Sequence, residues 1–104
     1  MKRGEVWWAR LDPPAGRRPI LLVSRDDAYV SRQLVIVAPV TTRVRRTPSE
    51  VPLGPADGLP RECAANLDTL TTIDRSRLEE CVGSLGPAKL KAFDEALRYA
   101  VGLR

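Results

Sequence analysis

The sequence predicts a small α+β protein in which short strands form a barrel-like sheet and one helix closes it. Short runs of strand-forming residues are separated by turns, and nine prolines leave little room for long helices. Only the end of the chain has a strong helical pattern. A chain of 104 residues has the length of one domain with one core. We therefore expect a single domain that spans residues 1–104.

Two strands are expected early in the chain. The stretch EVWWARL (5–11) is rich in strand formers. Trp7 is expected in the core, whereas Trp8 shares the opposite face with an arginine and could meet a ligand. The alternative for Trp8 is burial in the core, which is the commoner fate of a tryptophan. After a proline-rich turn, PILLVSR (19–25) is apolar on both faces, which predicts a central strand. The next segment is a loop or one helical turn, for which Ser24 is the candidate cap.

The stretch LVIVAPVTT (34–42) is expected to be the most buried strand of the sheet. Pro39 cannot donate a hydrogen bond to a neighbouring strand, so it marks a bulge or the point where pairing ends. Weaker strands are expected around Glu50–Leu53 and in ECAANLD, TLTTI and CVGSL, with a single helical turn entered at Asp74.

The chain ends in an amphipathic helix. Gly86 and Pro87 form a favourable N-cap and first helical position, because proline lacks only an N–H group that would be unpaired there. The apolar residues that follow recur at helical spacing: Leu90, Phe93, Leu97, Ala100 and Val101. We expect this helix to cover an open side of the sheet.

The chain contains no histidine and only two cysteines, Cys63 and Cys81. Their spacing does not suit a metal site, so we expect no metal and no cofactor, and both cysteines are expected to be buried in a reducing cytoplasm. The N-terminal charges are not followed by an apolar signal segment, and no run approaches the ~20 apolar residues that span a bilayer. We expect a cytoplasmic protein with no membrane association.

The charge of the chain is basic and unevenly distributed. Its net charge is +4, and residues 1–50 hold ten lysines and arginines against five acidic residues. Residues 51–104 hold seven basic against eight acidic residues. Arginine outnumbers lysine, and its planar guanidinium suits phosphate, so the pattern favours a polyanionic partner. The alternative is that the arginines serve solubility alone.

Candidate functional residues lie where two predicted strands begin or end. Arg17 and Arg18 stand where a turn enters the central strand, and Thr41 and Thr42 close the next one. If these strands pair, guanidinium and hydroxyl groups converge at one end of the sheet, as a phosphodiester site or an RNA groove needs. A basic loop follows at once, with Arg43, Arg45 and Arg46. The alternative is that these residues only terminate strands.

The sequence resembles the MazF/PemK family of toxin ribonucleases from type II toxin–antitoxin modules. The resemblance rests on RGEVWWARLDP, RRPILLVSRD, VIVAPVTT and NLDTLTTIDRSRLEECVGSL, and it runs almost end to end in the order of the family's motifs. It implies an SH3-like β-barrel of the CcdB/PemK type with a C-terminal amphipathic helix, assembled as a homodimer. It also implies sequence-selective, metal-independent cleavage of single-stranded RNA, inhibited by a cognate antitoxin.

The resemblance implies roles for particular residues. The family's catalytic arginine falls on Arg18 and its catalytic threonine on Thr41. The family's mobile loop falls on residues 43–48, which the antitoxin is expected to displace. The family commonly has a longer loop before its Arg-Pro pair, with an acidic residue that helps catalysis. Here DPPAGRRP has no such glutamate, so no residue is assigned as general base.

RNA cleavage without a metal ion can proceed by attack of a 2′-OH on the adjacent phosphate, leaving a cyclic phosphate and a 5′-OH. Arg18 is expected to stabilise the charge that develops on the phosphate, and Thr41 to position the phosphate or the 2′-OH. Single-stranded RNA is bound by aromatic, guanidinium and hydroxyl groups. The candidate RNA-binding residues are Trp8, Arg17, Thr42, Arg43, Arg45 and Arg46.

Two other functions remain open at the level of sequence. One is a non-catalytic CcdB-like toxin that binds DNA gyrase, which the missing glutamate leaves possible. The other is a basic RNA-binding barrel, against which stand the moderate net charge and the acidic C-terminal half. The Arg18 and Thr41 pair with its basic loop favours the nuclease.

Overall fold

The computed structural model describes all 104 residues, which form a seven-stranded antiparallel sheet and two α-helices. The strands are β1 (Glu5–Arg10), β2 (Arg17–Leu22), β3 (Leu34–Thr41), β4 (Glu50–Leu53), β5 (Cys63–Asn66), β6 (Thr71–Asp74) and β7 (Leu78–Ser84). The helices are α1 (Ala28–Ser31) and α2 (Pro87–Val101). No helix is long and apolar enough to cross a membrane.

The strand order is β4-β5-β3-β2-β1-β7, and β6 pairs with β3 outside this path. One edge of β3 pairs with β2. The other edge pairs first with β6, from Leu34 to Val37, and then with β5, at Val40 and Thr41. Because β3 changes its partner within this stretch, the sheet curls into a half-barrel, and α2 packs against it. The predicted α+β barrel with a C-terminal helix is confirmed.

Two apolar clusters lie on the two faces of the sheet. The larger cluster lies between the sheet and α2 and includes Leu21 and Phe93, both fully buried. The smaller cluster lies on the other face and includes Ile20 and Leu22. Successive residues of β2 thus point into both clusters, as expected of a central strand. The helix begins as predicted, with Gly86 as N-cap before Pro87.

The prediction that β3 is the most buried strand was wrong. Ala38 and Val40 pack in the cluster beneath α2, whereas Leu34 and Ile36 on the same face are exposed. The helix covers only the second half of this face, which leaves the first half open. Pro39 marks the end of pairing on one edge of β3 only: it forms the last pair with β2, while Val40 and Thr41 pair with β5 on the other edge.

Four smaller predictions were also corrected by the structure. Ser24 does not cap α1; its hydroxyl accepts a hydrogen bond from the Ile36 amide at 2.7 Å, and the N-cap is Asp27. Trp7 is only half-buried against the smaller cluster. Val101 lies at the margin of the apolar stripe of α2 and is exposed, and Cys81 is exposed on β7, a strand at the edge of the sheet.

Candidate functional site

Arg18 and Thr41 line the same cavity, at the end of the sheet where the antiparallel neighbours β2 and β3 stop pairing. Their ladder ends where Ile20 faces Pro39. Beyond this pair Val40 and Thr41 pair with β5 on the other edge of β3. On its other edge β2 stays paired with β1 as far as Arg17. Arg18 is therefore held by a strand rather than by the turn before it.

A cavity of about 470 Å³ opens at this end of the sheet. Part of its lining comes from strands β1, β2 and β3. Another wall comes from residues 59–63, the segment that leads into β5. Five of the sequence-predicted residues line it: Trp8, Arg17, Arg18, Thr41 and Thr42. None of the lining residues is acidic. The cavity is therefore cationic.

The Arg18 side chain is exposed to solvent at the cavity. Its Nε donates a hydrogen bond to the carbonyl oxygen of Ala15 at 2.8 Å. This bond orients the guanidinium, which has five N–H groups in total. The N–H groups of its two terminal nitrogens make no hydrogen bond within the protein and can donate to an anion.

The Thr41 hydroxyl lies at the end of β3 and is half-buried. Its Oγ1 accepts a hydrogen bond from the backbone N–H of Arg43 at 3.1 Å. A hydroxyl can accept and donate at the same time, so its proton stays available to an oxygen atom in the cavity. The bond to Arg43 also fixes the first residue of the basic loop relative to Thr41.

Arg17 differs from Arg18 because its guanidinium is already paired. The guanidinium carbon lies 4.6 Å from the centroid of the Trp8 ring. Nε donates to Glu79 at 3.1 Å, and Nη2 donates to Glu80 at 3.3 Å. Glu79 also accepts a hydrogen bond from Arg10. The hydrogen bonds from Arg10 and Arg17 hold the pKa of Glu79 below its usual range.

The three loop arginines do not gather in this cavity. Arg43 and Arg45 line a second cavity, of about 270 Å³, which shares Thr41 with the first. Arg46 lines neither of them, and its Nη2 lies 3.9 Å from a carboxylate oxygen of Glu62. Both side chains of that pair are largely exposed, so the pair contributes little to stability.

The loop backbone is organised by Glu50, at the start of β4. One oxygen of this buried carboxylate accepts hydrogen bonds from the backbone N–H groups of Arg45 and Arg46, at 3.0 and 2.8 Å. Arg46 has a φ of 58°, in the left-handed region. Consecutive amides in such a turn form an anion-binding concavity, and here Glu50 occupies it. Sequence reasoning missed this role because the loop conformation that brings the amides together leaves no pattern.

Sequence reasoning also missed the wall formed by residues 59–63, which includes Arg61 and Cys63. A solvent-exposed arginine in an irregular loop has no periodic signal. Cys63 is buried, and burial raises the pKa of its thiol. The thiol is therefore neutral and unsuited to act as a nucleophile.

The cavity can bind a phosphate and stabilise negative charge, and it can orient a hydroxyl group through Thr41. Its lining contains neither an imidazole nor a carboxylate that could move a proton. No group of three or more histidine, cysteine, aspartate or glutamate side chains is arranged to hold a metal ion.

The half-barrel and its cavity define a small α+β protein with a cationic cavity at one end of its sheet. The family model described as "PemK-like, MazF-like toxin of type II toxin-antitoxin system" matches residues 2–101. The chain therefore belongs to this toxin family.

Curated relatives agree with the family assignment. The chain is 40% identical to the probable endoribonuclease MazF5 of Mycobacterium tuberculosis over 100 residues, which cover 95% of this chain and 91% of the relative. It is 33% identical to the endoribonuclease MazF9 of the same species over 115 residues, which cover 99% of this chain and 98% of the relative.

Solved structures have the same fold. The Mycobacterium tuberculosis toxin MazF-mt6 matches with a TM-score of 0.87 at 30% identity, over 96% of this chain and 98% of that one. An endoribonuclease in complex with its cognate antitoxin, from a mycobacterial species, also matches with a TM-score of 0.87 at 30% identity. That match covers 100% of this chain and 97% of the other.

Proposed function

We propose that this protein is an endoribonuclease toxin whose single domain, residues 1–104, cleaves single-stranded RNA sequence-selectively and without a metal ion. Membership of a toxin family and relatives named as endoribonucleases support the activity. The observation that carries the proposal for the site is that Arg18 and Thr41 line the same cavity, whose lining contains no acidic residue.

In the proposed reaction the 2′-oxygen forms a bond to the adjacent phosphorus atom, and the bond from phosphorus to the 5′-oxygen breaks. The 2′-hydroxyl gives up its proton to water, and the departing 5′-oxygen takes up a proton from water. The products are a 2′,3′-cyclic phosphate and a 5′-OH. Arg18 donates hydrogen bonds to the phosphoryl oxygens as negative charge grows on them, and the Thr41 hydroxyl holds the phosphate in line. The cavity lining contains no histidine and no acidic residue that could act as a general acid or base. The rate acceleration therefore comes from orientation of the reacting groups and from stabilisation of the charge on the phosphate.

The remaining candidate residues are assigned to RNA binding. Trp8, with Arg17 on its ring, offers a planar surface for a base, and Thr42 offers a hydroxyl group beside Thr41. The loop arginines, Arg43, Arg45 and Arg46, bind the RNA backbone where it leaves the cavity.

The proposed partners are a cognate antitoxin and a second copy of the chain. A related endoribonuclease was solved with its cognate antitoxin. An antitoxin that displaces residues 43–48 acts beside Thr41, since Arg43 is hydrogen-bonded to that hydroxyl. Exposed Val30, Leu34 and Ile36 on α1 and β3 support a homodimer. We place the protein in the cytoplasm, where RNA is available and free thiols stay reduced.

The activity is tested by incubating purified, antitoxin-free protein with a long RNA of mixed sequence in EDTA, and by mapping the product ends. We expect cuts at discrete sequences with 5′-OH ends, because the proposed reaction needs no metal. The control variant Arg32→Ala should cut the RNA as wild type does. Arg32 is exposed and precedes the first residue of β3, whereas Thr41 is the last residue of that strand. Intact RNA beside a demonstrably folded protein would contradict the proposal.

A further inference from the structure

We infer that Arg61 is a second phosphate-binding residue of the cavity and holds an RNA phosphate next to the one that Arg18 holds. This inference rests on the proposed ribonuclease function and adds a residue to its substrate site. Arg61 lines the same cavity as Arg18 but comes from the segment that leads into β5. Arg18 itself belongs to β2.

The segment that bears Arg61 is anchored at both ends. Leu59 and Cys63 are buried in the larger cluster. Gly58 has a φ of +90°, and a Cβ there would lie 2.9 Å from the carbonyl oxygen of Val82. This turn thus packs directly against β7. The backbone on both sides of Arg61 is therefore held in place, and the exposed Arg61 side chain extends from this wall of the cavity.

The three cavity arginines differ in what their guanidinium groups already bind. Arg17 is paired with Glu79 and Glu80, so much of its charge is neutralised within the protein. Arg18 uses only Nε, on a backbone carbonyl. Arg61 makes no hydrogen bond and no ion pair in the structure. An anion that enters the cavity therefore meets free guanidinium groups at Arg18 and Arg61.

The ligand that fits two free guanidinium groups in one cavity is a chain with repeated phosphates. Guanidinium groups bind phosphate oxygens through two parallel hydrogen bonds. Arg18, which lines the cavity together with Thr41, is assigned to the phosphate that reacts, so Arg61 binds a neighbouring phosphate of the same strand. A contact of this kind adds affinity and sets the position of the strand, but it does not select bases. Arg61 should therefore affect RNA binding and leave the maximal cleavage rate unchanged.

The test compares wild type with Arg61→Ala and with Arg32→Ala as the matched exposed arginine. Binding is measured by fluorescence anisotropy with a random-sequence, fully 2′-O-methylated RNA pool, which cannot be cleaved, over a series of salt concentrations. We expect Arg61→Ala to weaken binding roughly tenfold. Its log–log salt dependence should become shallower by about 0.7, the value for one lost phosphate contact on a single strand. Arg32→Ala should match wild type.

Cleavage assays separate this inference from the proposed function. At saturating RNA, Arg61→Ala should cleave within about twofold of wild type, because the contact does not change in the transition state. If wild type cleaves RNA but Arg61→Ala binds like wild type at every salt concentration, the role of Arg61 is refuted and the proposed function stands. A loss of maximal rate with unchanged binding would also refute it. If wild type neither binds nor cleaves RNA, the proposed function fails and the role of Arg61 fails with it.

Discussion

Arg17 and Arg18 are adjacent in the chain but have different surroundings. Successive side chains of a strand point in opposite directions. Arg17 stacks on Trp8 and is bound by Glu79 and Glu80 of β7. Arg18 is oriented by a single backbone carbonyl and keeps its terminal N–H groups free. Arg17 thus stabilises the wall of the cavity, and Arg18 presents free hydrogen-bond donors to a ligand in the cavity.

The pairing of Glu79 with two arginines predicts a pH-dependent contribution to stability. Its pKa is lowered in the folded protein, so these contacts stabilise the fold above the unfolded-state pKa and are lost as the pH falls through the folded-state pKa. Glu79→Gln should therefore slightly lower the Tm at neutral pH, and the difference from wild type should disappear as the pH falls below the lowered, folded-state pKa of Glu79.

Thermal melts of wild type and Glu79→Gln across this pH range make the comparison. Glu95→Gln serves as the control, because Glu95 is exposed on α2 and makes no ion pair. A Tm difference for Glu79→Gln that stays constant from neutral to acid pH would show that the contacts with Arg10 and Arg17 do not depend on the charge of this carboxylate.

At the scale of elements, α2 determines which part of the sheet is buried. Phe93 is fully buried in the larger cluster, and the Arg3 guanidinium lies 4.2 Å from the centroid of its ring. Arg3 also donates a hydrogen bond to Asp94. The helix is thereby fixed to the N-terminal segment as well as to the sheet. The first half of β3, with Leu34 and Ile36, lies beyond its reach.

Removal of the Phe93 ring should destabilise the protein strongly. Phe93→Ala leaves a cavity beneath α2, and large-to-small changes at such sites cost about 3–5 kcal/mol. Tyr99→Ala on the same helix is the control, because Tyr99 is 62% exposed and its loss should cost no more than about 0.5 kcal/mol. Urea unfolding measures both free energies. Equal losses for the two variants would mean that α2 does not pack as described.

At the scale of the whole molecule, the strands and the final helix follow from hydrophobic periodicity, which is local. The presence of Arg18 and Thr41 in one cavity could also be anticipated, because both residues lie at adjoining ends of neighbouring strands. The pairing of Arg17 with Glu79 could not, since it depends on β1 lying between β2 and β7. Arg61 reaches the cavity because β5 pairs with β3, and no sequence pattern predicts this pairing.

The open half of β3 is also the basis of the proposed homodimer. Its exposed apolar side chains, Leu34 and Ile36, would be covered by a second copy. Sedimentation equilibrium should therefore give twice the chain mass of 11.5 kDa, and Ile36→Asp should shift the protein toward monomer. A wild-type protein that remains monomeric at high concentration would contradict the dimer.

The central claim is that Arg18, which lines the cavity together with Thr41, stabilises the charge of the reacting phosphate. The most direct test is the single-turnover cleavage rate of Arg18→Ala in EDTA, at protein concentrations that saturate the RNA, with folding checked by circular dichroism. We expect the rate to fall by about two orders of magnitude or more, as when one preorganised donor is removed from a developing charge. A loss of about threefold or less would be far smaller than the effect of removing such a donor. It would place the reacting phosphate elsewhere on the protein.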